Sequence, residues 1–339
     1  MYYDVFRGHC LKDSKKECVF YMKKTESGIA PKKKQRIRDR VWRDRYLYLM
    51  ILPFVLWYIF MYYLPIYGIV IAFKDYSILK GIEGSPWVGF KHFRDFFTNN
   101  HYAWRIVRNT ILINVYSILF TFPLPIILAI LFDELRSKKY KTFAQTISYM
   151  PHFISTVVVA GLVVTMLSPT QGIINVILER LGLIKEKIYF LAKPQYFRTI
   201  YITMGAWTGV GFSSIIYTSA ISSVDETLYE AARIDGASRF QKIMNITIPS
   251  IIPTIAIMFI TRIGGLLSVG SETIILLYKE ITYETADVIS TYTYRMGLTS
   301  KRPQFSPSAA IGLMNSIISL GLVAIANYVS KKTTEAGLF

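Results

Sequence analysis

Few residues in this 339-residue chain could do chemistry, and they fall in two places. The first is the run Tyr229-Glu230-Ala231-Ala232-Arg233-Ile234-Asp235-Gly236-Ala237, joined after nine residues from Gly236 to Ile246-Thr247-Ile248-Pro249. The second is Arg262, a lone guanidinium within an otherwise apolar segment. A charge inside such a segment is costly and marks a cavity or a partner. Familiar catalytic arrangements are missing. His9, His92, His101 and His152 have no metal-ligand spacing. There is no G-x-x-x-x-G-K-[ST] loop, so the chain is not expected to hydrolyse ATP itself. No carboxylate pair or Ser/His set falls in an apolar segment, which argues against an intramembrane enzyme.

The elements around these residues are those of a membrane protein. Hydrophobic residues make up 52% and charged ones only 18%, against roughly a quarter in soluble domains. Six segments reach the ~20 apolar residues that a bilayer demands: Tyr46–Phe73, Asn109–Phe132, Thr146–Leu167, Thr199–Ser222, Ile248–Val269 and Ser308–Ser330. The expected fold is therefore all-α and polytopic, with residues 46–330 forming a six-span domain. A net charge of +17 reads as topogenic and not as a nucleic-acid surface, because basic residues collect on cytoplasmic flanks. Residues 1–45, the Arg136–Lys141 loop, the loop carrying Arg233, Arg239 and Lys242, and Lys331-Lys332 in the tail 331–339 then lie in the cytoplasm, with both termini inside. No cleavable signal is expected. Lys16-Glu17 can be encoded by a purine run just upstream of Met22-Lys23-Lys24, so a start at Met22 competes with Met1; a peptide from residues 1–21 would exclude it. Cys10 and Cys18 both lie in the tail and imply no disulfide scaffold. Phe90, Phe93, Phe96 and Phe97, and again Ile173, Ile174, Ile177, Leu178 and Leu181, recur at helical spacing. Both runs suit either an interfacial helix or packing against spans.

The loop 223–247 between spans four and five should hold a short helix. Ser223-x-x-Glu226 and Thr227-x-x-Glu230 each fit a capping box, and Gly236 suits a C-terminal stop with positive φ. Ala231 and Ala232 permit close approach by a partner, with Leu228 and Ile234 as apolar anchors. Pro249 would begin span five where its missing N–H costs little. An ordinary amphipathic connector has the same features. Arg262, about 14 residues into its span, would sit roughly 21 Å from the cytoplasmic end. It could meet substrate, pair with Glu272 or a second subunit, or snorkel outward. Trp207, Phe212, Ser213, Ser214 and Tyr217 offer the aromatic and hydroxyl mixture that sugars need, or simply pack.

The whole string Glu230-Ala231-Ala232-x3-Gly236-x9-Ile246-x-Ile248-Pro249 resembles the EAA loop of ATP-binding-cassette importer permeases, with Ile248 where leucine is usual. Trp207-Thr208-Gly209-Val210-Gly211-Phe212, Ile216-Tyr217, Trp87-Val88-Gly89-Phe90-Lys91-His92-Phe93 and Asn109-Thr110 resemble its carbohydrate-uptake branch. Asp287–Leu298 and Ala309-Ala310-Ile311-Gly312-Leu313 look like permeases of complex oligosaccharides. The resemblance runs from about residue 38 to the C-terminus. It implies a type I importer permease fold in a bacterial inner membrane. It also implies coupling through Tyr229, Glu230, Ala231, Ala232, Arg233, Asp235, Gly236, Arg239 and Pro249 to a cytoplasmic ATPase dimer, which would bind the ATP and Mg. Further partners would be a second homologous permease, in a heterodimer by the family's usual arrangement, a periplasmic or extracellular solute-binding protein, an oligosaccharide and membrane lipid. A permease for another solute such as glycerol phosphate, and an ion-driven secondary transporter, remain alternatives.

Overall fold

The computed structural model describes residues 42–265, 267 and 270–334. The choice between Met1 and Met22 falls outside them, as do most of the basic tail and residues 335–339. Among the described residues there is no strand, only two isolated bridges, Lys74–Trp87 and Ser77–Gly81. The described residues divide into two compact units, one ending at Ile66 and the other beginning at Tyr67.

Apolar composition alone makes the first helix, α1 (Arg45–Phe73), long enough to cross a bilayer. Its part within the first unit carries Pro53 inside an α-helical turn and a π-turn at Ile59–Tyr63 ahead of Pro65. Tyr58 stacks on Tyr62 at 4.7 Å.

In the second unit, four further single helices are long and apolar enough to span: α3 (Ala103–Asp133), α7 (Pro194–Ser222), α9 (Arg239–Gly264) and α12 (Phe305–Thr334). Between them lie α2 (Lys91–Thr98), the pair α4 (Lys138–Phe153) and α5 (Thr156–Met166), α6 (Ile173–Arg180), α8 (Glu226–Ile234), α10 (Ser271–Leu277) and α11 (Ile289–Tyr294). The expected third span is not one rod. α4 and α5 meet at 95°. Pro151 lacks the N–H that would continue the helix, the chain tightens to 3₁₀ at Met150–Phe153, and the Ser155 hydroxyl caps α5 by accepting from the Val158 amide.

Three apolar clusters hold this unit together. One packs Ile113, Val159, Phe197, Met204, Leu277 and Val288; a second packs Phe96, Ala103, Ile106, Ile289 and Ile311; a third packs Ala129, Tyr217, Ile221 and Ile251. Phe96 thus packs in the core, whereas Phe90 stays exposed. On α6, Ile173, Ile177 and Leu181 remain exposed. α7 carries Gly211 at its contact with α4. A Cβ there would lie 1.8 Å from the Ser148 carbonyl oxygen, so only glycine permits the approach.

Candidate functional site

The loop helix α8 is short because both of its ends are chemically stopped. Neither expected capping box starts it. Asp225 does, accepting from the Thr227 amide at 3.0 Å. The backbone and side-chain hydrogen bonds from Thr227 hold the Asp225 carboxyl below the usual carboxylate range. At the other end Gly236 has φ +75°, the Ala237 amide donates to the Ala232 carbonyl and the Gly236 amide to that of Arg233. This is a Schellman stop, in which a left-handed residue turns two amides back onto the last carbonyls.

The next helix begins at once. Ser238 and Gln241 form a reciprocal capping box, 2.8 and 3.3 Å, at the start of α9. The loop expected over 223–247 therefore ends nine residues earlier, at Ser238. Pro249 does not start a span but sits inside α9, two residues after the π-turn Ile243–Thr247. Pro65 follows the π-turn of α1 by the same two residues. The wider turn relieves the clash between a proline ring and the preceding carbonyl.

Two contacts tie α8 and the start of α9 to the bundle. The Tyr229 hydroxyl lies 2.9 Å from the Thr247 hydroxyl, and Thr247 is buried. Arg239 pairs with Glu134 at 3.6 Å across the end of α3. Tyr229, Arg233 and Arg239, together with Asp133, Arg136, Glu226 and Lys242, surround a cavity of about 660 Å³. Glu230, Ala231, Asp235 and Gly236 point away into solvent, and Ala232 is half-buried. Leu228 and Ile234 are exposed apolar groups, as a docking surface requires, and so is Phe240, 71% exposed. Phe240 was not among the expected contacts, although an aromatic just beyond a helix cap is a legible sign.

A second cavity, of about 630 Å³, opens between α3, the α4–α5 bend, α7 and α9. Arg262 lines it. Its Nη2 donates to the Ser117 hydroxyl at 2.6 Å and to that of Thr121 at 3.4 Å. These are a full turn apart on α3, so one guanidinium bridges two hydroxyls. Among the described residues no carboxylate lies at ion-pair distance from Arg262; the expected Glu272 partner is not used. Arg262 is two residues from the end of α9, where a cation also meets the helix dipole favourably. Counted from Arg239, where α9 starts, Arg262 lies about 35 Å along that helix. Of the other expected path residues, Ser213 and Tyr217 line the cavity. Ser214 is buried and donates to the Gly211 carbonyl instead. Phe212 stacks on His152, a lining residue, at 4.0 Å, and Trp207 is half exposed outside the lining. Tyr201 and Thr208 line the wall with them.

Residues 121–335 match the family of binding-protein-dependent transport system inner membrane components. That is more than half of the chain. The chain belongs to this family. It is the permease subunit of an ATP-binding-cassette importer, and as such it is a multi-pass membrane protein whose work is transport. An ion-driven secondary transporter is thereby set aside. The permease is 40% identical over 307 residues to the polygalacturonan/rhamnogalacturonan transport system permease protein YteP of Bacillus subtilis, covering 91% of this chain and 94% of that one. It is 39% identical over 297 residues to protein LplB of the same organism, covering 88% and 92%. Among solved structures it is similar to a chain from a bacterial ABC transporter involved in the import of the acidic polysaccharide alginate. That chain is 45% identical, with a TM-score of 0.81, covering 88% of this chain and all of that one. A second crystal structure, of a bacterial alginate transporter in complex with its pentasaccharide-bound periplasmic protein, gives 44% and 0.81.

One further feature of the permease escaped sequence reasoning. Asp287 is 1% exposed and is gripped by both arms of Arg295, at 3.1 and 2.7 Å, and by the Thr291 hydroxyl at 3.0 Å. Burial opposes the Arg295 charge, but the hydrogen bonds and charge of Asp287 outweigh it and hold the guanidinium above its ordinary pKa. The guanidinium also lies over the Tyr283 ring at 4.4 Å. The spacing Asp287-x7-Arg295 could have suggested a pair two turns apart, had the intervening segment been known to be helical.

Proposed function

We propose that this permease lines one half of the path by which an acidic oligosaccharide enters a bacterial cell. The observation that carries this reading is the Arg262 cavity. A guanidinium held by two hydroxyls faces a space whose lining includes Tyr201, Thr208, Ser213 and Tyr217 and no carboxylate. Hydroxyls and aromatic rings suit a sugar, and the charge suits a uronate. The names of the relatives support the same substrate class. Glycerol phosphate, a smaller anion, is the competing cargo.

In this reading α8 docks on a separate ATPase, which binds ATP and Mg and hydrolyses the nucleotide. Glu230, Arg233 and Asp235 are the polar contacts, Ala231 and Ala232 the seat. Among the described residues there is one such helix, so a second homologous permease serves the second ATPase of the dimer, and a solute-binding protein delivers cargo to the opposite face. The basic loops support a cytoplasmic side for α8 and both termini. The test is uptake by the importer reconstituted in liposomes with its partners. Arg262→Ala should impair accumulation of a uronate oligosaccharide far more than of a neutral one. Unchanged transport of both, or preference for glycerol phosphate in the wild type, would overturn the reading.

A further inference from the structure

Arg105, Arg108 and Arg198, outside the Arg262 cavity, make no ion pair among the described residues. Arg105 and Arg108 lie in the first two turns of α3, and Arg198 lies in the second turn of α7. Both helices begin at the end of the bundle remote from α8, which follows the far end of α7. On α3, Arg105, Asn109, Ile113 and Ser117 recur every four residues and share a face. That face leads from the arginines to the serine that holds Arg262.

The cluster is built and not incidental. Asn109 is fully buried, and its amide donates to the Glu284 carbonyl at 2.9 Å and the Asp287 carbonyl at 3.1 Å. This fixes its oxygen toward Arg198, whose Nη2 donates to it at 2.9 Å. Arg108 precedes Asn109 directly on α3 and is exposed. The Arg105 guanidinium carbon lies over the Tyr102 ring at 4.4 Å, a cation–π contact that leaves the charge without an anion. The Nε atoms of Arg105 and Arg198 are buried and have no hydrogen-bond partner among the described residues. Asp287, the one buried acid nearby, is taken by Arg295. Glu284 contributes only its backbone carbonyl and makes no ion pair among the described residues. Like charges held together with unmet donors cost free energy until an anion completes them.

Ile113, Phe197 and Met204 pack with Leu277 and Val288, and Ile113 and Met204 also line the Arg262 cavity. We propose that Arg105, Arg108 and Arg198 form a carboxylate-binding station at the mouth of the path, which takes the leading uronate of the cargo before it reaches Arg262. The proposal rests on the acidic-oligosaccharide reading above.

The experiment uses the complete importer in liposomes, with a uronate trisaccharide and its methyl ester, which differ only in charge. Arg105→Gln and Arg198→Gln should each raise KM for the acid about tenfold, the loss of one charge-assisted contact, and shift that for the ester at most about twofold. Arg198→Lys should restore part of the loss, since it keeps the charge but not the fork. Added salt should weaken acid uptake more in the wild type than in the variants. Equal losses for acid and ester, or variants that match the wild type on the acid, would overturn the arginine station alone. A wild-type importer that accumulates neither saccharide would overturn the carbohydrate reading and this proposal with it.

Discussion

Replacing Gly236 tests whether α8 transmits force through its backbone geometry. The residue sits at φ +75°, and a Cβ built there meets nothing within 4 Å. Space is therefore not the constraint. The cost of a side chain comes from left-handed backbone alone, about 1–2 kcal/mol for an ordinary residue. That lowers the equilibrium constant for forming the Schellman stop by roughly 5- to 30-fold. Asparagine visits this region with little penalty, and a β-branched residue pays most. Substrate-stimulated ATP hydrolysis by the reconstituted importer should fall in the order Gly236, Gly236→Asn, Gly236→Ala, Gly236→Val. Co-purification should show how much of each loss is docking of the ATPase. A Val variant with normal stimulation, or an Asn variant as poor as Val, would refute the reasoning, because neither outcome fits a purely conformational cost.

Two other expectations concern the fold that carries this helix. Arg295→Met strands the buried Asp287 carboxylate and should cost about 3–5 kcal/mol, seen as a lower Tm in detergent. The double variant with Asp287→Leu should recover most of it, and failure to do so would mean that the pair is not what the site lacks. Gly211→Ala pushes a methyl against the Ser148 backbone and should cost about 1–3 kcal/mol or more, whereas Gly209→Ala, with nothing within 4 Å of its Cβ, should be near neutral. Equal Tm for the two would show that α7 and α4 do not touch at Gly211.

The sequence was legible where one segment decides its own state. Uninterrupted apolar runs located five spans, and the glycine after an alanine-rich helix located the Schellman stop. It was less legible where two signals compete. Pro151 and the capping Ser155 break the third span, yet the apolar residues on both sides read as continuous. Asp225 outcompetes Ser223 and Thr227 as the cap because its carboxylate is the better acceptor at that position. The π-turn before Pro249 has no signature in composition, so the start of α9 was placed too late. Contacts between distant segments were out of reach: nothing in the run around Arg262 points to Ser117 and Thr121, about 140 residues earlier. The same holds for Arg198 on Asn109.

The continuity of α9 has a mechanical consequence. One rod carries Thr247, tied to the coupling helix, and Arg262, some 15 residues further along. In the proposed coupling it is a lever pivoted near the ATPase side, with its arm ending at the Arg262 cavity. A tilt of about 5° about the Arg239 end sweeps the guanidinium by about 3 Å over an arm of roughly 35 Å. That is enough to pull it off the Ser117 hydroxyl, held at 2.6 Å. Under the proposed function, the grip on an anion and the stroke of the motor are two readings of one displacement.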